Sequence, residues 1–289
     1  MVDFRERLEQ ARQSKRSAVC VGLDPRLDQL PPEFREFKLP EALLAFNKSV
    51  IDAVADVCIA AKPQAAFYEL YGAEGFQALV ETVRYAKNAG LLVIVDAKRN
   101  DIGSTAEAYA HAFLHPDGPF DADALTVNAY LGSDGVQPFL DVASKHGKGV
   151  FVLVKTSNPS SGELQDLEVE GEPVFELMAR LVDGWDCEAV VGGTYPAQAA
   201  KARALMPKAT ILVPGYGAQG ATAAGVAPSF RPDGRGAVVN NARGIIFAPG
   251  GPRAAAIAMR DALNATIPNI PSPAAAGEGE GEGVPRPNG

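Results

Sequence analysis

One pattern constrains the fold of this chain more than any other. Short apolar runs rich in Val and Ile, each ending in a polar or charged residue, alternate with longer stretches whose apolar residues recur at helical spacing. The runs lie at residues 18–23, 58–63, 91–95, 124–127, 150–154, 189–191, 210–213 and 237–239. Helical periodicity fills 43–57, 74–89, 105–114, 135–146, 173–185, 196–205 and 252–263, and an amphipathic helix opens the chain over its first 17 residues. About eight strand-then-helix units within roughly 250 ordered residues match an α/β protein of the (β/α)₈ TIM barrel type. A doubly wound sheet is the alternative. The barrel is favoured because Asp24, Lys62, Asp96, Lys98, Ser157 and Arg243 all fall at or just past the end of a run, and a barrel gathers such residues around one mouth. The expected organisation is one catalytic barrel over residues 1–267, then a Pro-, Gly- and Glu-rich tail over 268–289 with too few apolar side chains to stay ordered.

Charge and cysteine content narrow the function. A net charge of −8 argues against nucleic acid as a partner, since its binders carry a basic face, and means that an anionic ligand must find local cations. Cys20, Cys58 and Cys187 are odd in number, far apart and set in or near apolar segments. They suggest neither a disulfide framework nor a metal-binding pair. No signal-peptide core and no run of membrane-spanning length is present, so a soluble cytoplasmic protein is expected.

The chemistry centres on residues 91–105, LLVIVDAKRNDIGST. In a strand, residues two apart share a face, so Asp96 and Lys98 are expected to lie side by side with Ala97 opposed. Asp101 follows, just before Gly103, Ser104 and Thr105, where a helix begins. An isolated D-x-K-x-x-D is more often a strand ending in solvated charges; other parts of the chain argue against that here. PGYGAQG at 214–220 contains G-x-G-x-x-G directly after a strand. A dinucleotide site is rejected, because Gly225 and Pro228 interrupt the helix it needs and the next strand ends in Asn240 and Asn241 rather than an acid. Its place in the seventh unit suits a phosphate cradle instead, with Gln219 and, after strand eight, Arg243 as polar contacts.

His111 and His115 stand four apart, but no third metal ligand is evident, and a structural role is expected. Lys62, Lys98 and Lys155 all end strands and raise the question of a Schiff base. A carboxylate beside lysine favours the charged ammonium, which is the wrong form for that chemistry. Residues 156–171 make a long loop after strand five, of the kind placed to close over a ligand.

Taken in order, VGLDP, AAKPQAAFYE, VDAKRNDIGST, VKTSNPSSG, PGYGAQG and NNARG resemble the orotidine 5′-phosphate decarboxylase family, in particular its longer bacterial branch, over residues 3–265. The resemblance implies a homodimeric barrel that converts orotidine monophosphate to UMP with neither cofactor nor metal. It implies a catalytic array of Lys62, Asp96 and Lys98, completed by Asp101 from the other subunit, with Thr105 also reaching across. It further implies Asp24 on the ribose hydroxyls, Ser157 on the pyrimidine amide, Gln219 and Arg243 on the phosphate, and Pro214 and Tyr216 lining the site. Ala129 stands where proline is usual, and Asn241-Ala242 where small hydroxyl residues precede the arginine. Two rivals remain: a magnesium-dependent sugar-phosphate decarboxylase or synthase of the same superfamily, and a barrel that binds a nucleotide without catalysis.

Overall fold

The computed structural model describes residues 2–217 and 219–267; the tail expected to be disordered lies outside the described residues. Eight parallel strands close into a barrel in chain order: β1 (Val19–Leu23), β2 (Ala60–Pro63), β3 (Leu92–Arg99), β4 (Ala124–Val127), β5 (Gly149–Lys155), β6 (Glu188–Val191), β7 (Ile211–Val213) and β8 (Ala237–Asn241). The longer helices are α1 (Phe4–Lys15), α2 (Glu41–Val54), α3 (Gly72–Asn88), α4 (Gly103–Leu114), α5 (Ser133–His146), α6 (Val174–Gly184), α7 (Pro196–Leu205) and α8 (Pro252–Thr266). The unit after β7 has only the short turns Ala223–Val226 and Ala227–Ser229 in place of a full helix, as Gly225 and Pro228 require.

The strands read as unbroken apolar runs because both faces are covered. Val21, Val93, Leu125, Val152 and Val239 face the helices in the outer core. The opposite face forms a separate interior cluster with one side chain from each strand: Cys20, Ala60, Ile94, Ala124, Phe151, Val190, Leu212 and Val238. The same pleat period thus divides each run between two cores.

Helix α1 closes the amino-terminal end of the barrel. Asp3 caps it by accepting from the Glu6 N–H at 2.7 Å. Phe4 and Leu8 join the interior cluster, and Phe4 meets Phe151 edge to face at 5.7 Å between ring centroids. Gly149 makes room for this plug, since a Cβ there would lie 2.6 Å from Phe4 Cδ1. Arg5 pairs with Glu188 and Arg7 with Asp123, each at 2.5 Å, which fixes the helix to two strands. Emptying the plug by Phe4→Ala is expected to lower stability by about 3–5 kcal/mol, as for other buried aromatic truncations, read from urea unfolding. A loss below about 1 kcal/mol would show that α1 does not seal the barrel.

Candidate active site

Two residues further along the interior face, the side chains change character. From Ala60, Ile94, Ala124, Leu212 and Val238 the chain reaches Lys62, Asp96, Thr126, Pro214 and Asn240, all of which line one cavity of about 440 Å³ at the carboxyl ends of the strands. Asp24, Lys98, Ser157, Tyr216, Gln219 and Arg243 line it too.

At its centre the Asp96 carboxylate is saturated with donors. Lys62 Nζ donates to Oδ2 at 2.8 Å and Lys98 Nζ to Oδ1 at 2.6 Å. Gln64 Nε2 adds a bond to Oδ2 at 3.0 Å, and the Thr126 hydroxyl donates to Oδ1 at 2.9 Å while accepting from the Lys98 N–H at 2.9 Å. Burial alone would raise the Asp96 pKa, but the two ammonium charges and their hydrogen bonds outweigh it and hold the carboxyl well below the usual range. Burial works against the Lys62 charge as well, yet Asp96 and Asp24 raise its pKa above the ordinary lysine value. Both members of the pair are therefore charged at neutral pH. Asp24 is pushed the other way, because burial outweighs the attraction of Lys62.

Lys98 reaches Asp96 by a route that simple alternation does not describe. Pairing between β3 and β4 shifts between Val95 and Arg99, and Lys98 sits at a left-handed φ of 46°. The strand is bulged where it enters the site. Beneath Asp24, the Tyr68 hydroxyl donates to the Leu23 carbonyl at 3.2 Å and accepts from Asn47 Nδ2 at 2.9 Å, supporting the end of β1 from behind.

The far wall is made by loops. In PGYGAQG, Gly215, Gly217 and Gly220 have φ of 103°, 72° and 90°, a turn other residues enter only with strain. Asn241 accepts from the Gly244 N–H at 3.2 Å and lies beside Gly217, so it links the loop after β7 to the turn that carries Arg243. That is what the unusual Asn241 does here. Ala242 packs closely on Gly22, where a Cβ would come within 2.5 Å of its own. Ala129, the other unusual residue, is buried and does not line the cavity. After β5, the loop is held at its base: Lys155 pairs with Asp166 at 2.8 Å, and the Thr156 N–H donates to Gln165 Oε1 at 2.9 Å. A short hairpin, Glu168–Val169 with Glu172–Pro173, gives it structure of its own.

Several residues singled out in the sequence lie elsewhere. Asp101 and Thr105 do not line the cavity of their own chain. Lys155, weighed as a Schiff-base candidate, is fully buried away from it, against Asp166, Tyr195 and Phe175. His111 and His115 stack at 4.0 Å and His146 meets His115 edge-on at 4.5 Å, and none of the three lines the cavity. Among the described residues no group of three or more His, Cys, Asp or Glu is arranged to hold a metal ion. Gln64, Thr126, Thr156, Asn158 and Asn240 line the cavity without having been singled out. Gln64, Thr126 and Asn240 were accessible to the period-two rule, standing two residues beyond Lys62, Ala124 and Val238.

A closed parallel barrel with interleaved cations and carboxylates at its strand ends defines a (β/α)₈ enzyme with its active site at that mouth. The orotidine 5′-phosphate decarboxylase / HUMPS family model matches residues 17–259. The orotidine 5′-phosphate decarboxylase of Rhodopirellula baltica is 46% identical, the match covering 86% of this chain and 89% of that one. That of Halorubrum lacusprofundi is 44% identical over 86% of this chain and 88% of its own. The structure of Leishmania donovani OMP decarboxylase matches with a TM-score of 0.78 and 39% identity, covering 92% of this chain and 98% of that one. Against the longer Leishmania donovani UMP synthase the chain spans 57% of the length, with a TM-score of 0.80. The chain belongs to the orotidine 5′-phosphate decarboxylase family, and the activity is that of a carboxy-lyase of pyrimidine biosynthesis.

Because the Asp96 pKa lies below its ordinary 3.8 in the folded protein, its contribution to stability is complete above about that pH and is lost as pH falls beneath it. The raised pKa of Lys62 places its own loss far above neutrality. Replacing Asp96 by Asn leaves a buried ammonium uncompensated, and a cost of about 3–5 kcal/mol is expected at pH 7. Urea midpoints at pH 7 and pH 3 check this: the gap between wild type and Asp96→Asn narrows at the lower pH. A gap that stays constant refutes the assignment.

Proposed function

We propose that the cavity binds orotidine 5′-monophosphate and releases UMP and CO₂, with Lys98 as the catalytic acid and without cofactor or metal. The observation that carries this reading is the Asp96 carboxylate held ionised between two ammonium groups, with the Lys98 ammonium half-exposed to the cavity. Loss of CO₂ from C6 of the pyrimidine leaves an electron pair in the ring plane, where the π system cannot delocalise it. A fixed cation beside C6 stabilises that charge and then delivers the proton that completes UMP.

Asp96 holds the Lys98 side chain in place through their ion pair and opposes the substrate carboxylate. Two unit charges about 4 Å apart interact by roughly 4 kcal/mol at an effective dielectric of 20, well short of the roughly 8–23 kcal/mol that enzymes typically supply. Repulsion is therefore a minor contribution. The larger part comes from stabilising the carbanion and from phosphate binding at Gln219 and Arg243, which holds the ring in place. Asp24 takes the ribose hydroxyls, Ser157 the pyrimidine amide, and Pro214 and Tyr216 line the site.

The site is completed by a second copy of the chain, whose Asp101 and Thr105 enter it. This is supported by their position off their own cavity and by exposed apolar neighbours: Tyr130 is 75% and Ile102 53% accessible, and Leu131 and the Asp101 carbonyl both lie against Gly135. The three buried, unpaired thiols fit a reducing cytoplasm, and no helix among the described residues is long and apolar enough to cross a membrane.

Ultraviolet assay of orotidine monophosphate with chelator present is expected to show full turnover, and activity that returns only on adding magnesium would sink the reading. Lys98→Ala should lose at least about 10²–10⁴-fold in kcat, whereas Arg243→Ala should weaken substrate binding by about 10–100-fold, the worth of a charge-assisted hydrogen bond. Equal losses of kcat in both, at unchanged affinity, contradict that division. Mixing inactive Lys98→Ala and Asp101→Ala dimers should restore activity, since one hybrid site holds both native residues. Proven subunit exchange without recovery removes the shared site.

A further inference from the structure

Asn240 has no role in the reading above, yet its position demands one. It is the last inward-facing residue of β8, 7% exposed, and it lines the cavity. Its Oδ1 is buried and has no hydrogen-bond partner in the protein, and, unlike the similarly unpartnered amide oxygens of Asn47 and Asn264, it belongs to a residue that lines the cavity. Across the barrel seam Asn240 pairs with Cys20 on β1, and at Gly22, the next interior position along that strand, a Cβ would come 3.2 Å from that oxygen and 2.5 Å from Ala242 Cβ, so a side chain there would crowd both. Gly22 in turn pairs with Lys62 on β2, so the Asn240 side chain lies beside the level of the cavity wall that Gly22 and Lys62 share. Two residues beyond Gly22 stands Asp24, whose Oδ1 is likewise buried and unpartnered.

Adjacent strands therefore present two acceptor oxygens, from a carboxylate and an amide, with no protein donor for either. A ligand that offers a pair of neighbouring hydroxyls satisfies both. Asn240 also lies three residues before Arg243, the proposed phosphate contact, and one strand beyond Gly22 from Lys62, which belongs to the reacting end. It is placed between phosphate and base, where a nucleotide carries its sugar. Resting on the function proposed above, we infer that Asn240 is a substrate-binding residue that accepts a hydrogen bond from a ribose hydroxyl, sharing the sugar diol with Asp24.

The test is calorimetric binding of UMP, 2′-deoxy-UMP and 3′-deoxy-UMP to the full chain, wild type and Asn240→Ala, with Asn240→Ser as a variant that keeps an oxygen at the position. Thermal unfolding of each protein verifies that it is folded. Asn240→Ala is expected to weaken UMP about tenfold while leaving one of the two deoxynucleotides nearly unchanged, because that analogue has already lost the bond; Asn240→Ser should recover part of the loss. An equal loss for all three nucleotides, or none for UMP, overturns the inference while leaving the decarboxylase reading intact. Failure of wild type to bind UMP at all overturns both.

Discussion

The Asp96 carboxylate, bonded to Lys62 on one side and Lys98 on the other, is the contact that the active end of this barrel is built to hold. Lys62 is almost wholly buried, and Asp96, with Asp24 behind it, offsets the burial that disfavours its charge. The partners come from three adjacent strands: Lys62 and Gln64 at the end of β2, Asp96 and Lys98 on β3, Thr126 on β4. Their meeting depends on parallel register, expressed in the pairing of Gln64 with Asp96 and in the hydrogen bond from the Lys98 N–H to Thr126. A one-residue slip would turn Lys62 or Asp96 out of the barrel into the helical layer and break their pairing. Satisfying the ions and fixing the register are thus the same requirement.

The two ends of the barrel divide the work. At the amino-terminal end Phe4 and Leu8 fill the interior, and Arg5 and Arg7 fasten the helix that carries them. That end is apolar and closed, and contributes stability. The carboxyl end is left open and lined with groups that the protein only partly satisfies, Asp24 Oδ1 and Asn240 Oδ1 among them. Such groups cost stability unless a ligand completes them. A sealed base permits an incomplete mouth.

Loops finish the mouth by means that do not depend on ionic pairing with the array. The glycines of PGYGAQG let the backbone turn back on itself beside the cavity, and Asn241 joins that turn to the one bearing Arg243. After β5, the pair Lys155–Asp166 and the amide of Gln165 hold the chain on either side of Ser157. Lys155 shows how a strand-end lysine can serve position rather than chemistry: its charge faces outward onto the loop, while Ser157, two residues on, lines the cavity.

Read alone, the chain pointed to a barrel over a doubly wound sheet, since about eight apolar runs alternating with helical periods carry their polar residues at the run ends. It also determined the level at which the chemistry lies, because Asp24, Lys62, Asp96, Lys98, Ser157 and Arg243 mark the ends of runs. The period of two tells which residues of a run share a face, but which face turns inward was not legible, as strands covered on both sides show no polar alternation from which to read it. Only closure of the barrel decided that Lys62 faces Asp96, that Lys155 does not, and that Thr126 and Asn240 join the wall. Only the tertiary structure placed Asp101 and Thr105 off their own cavity and set α1 beneath the barrel. Strand order and local period are written along the chain; which side chains meet across a closed sheet depends on register and twist, which arise only when all eight strands are paired.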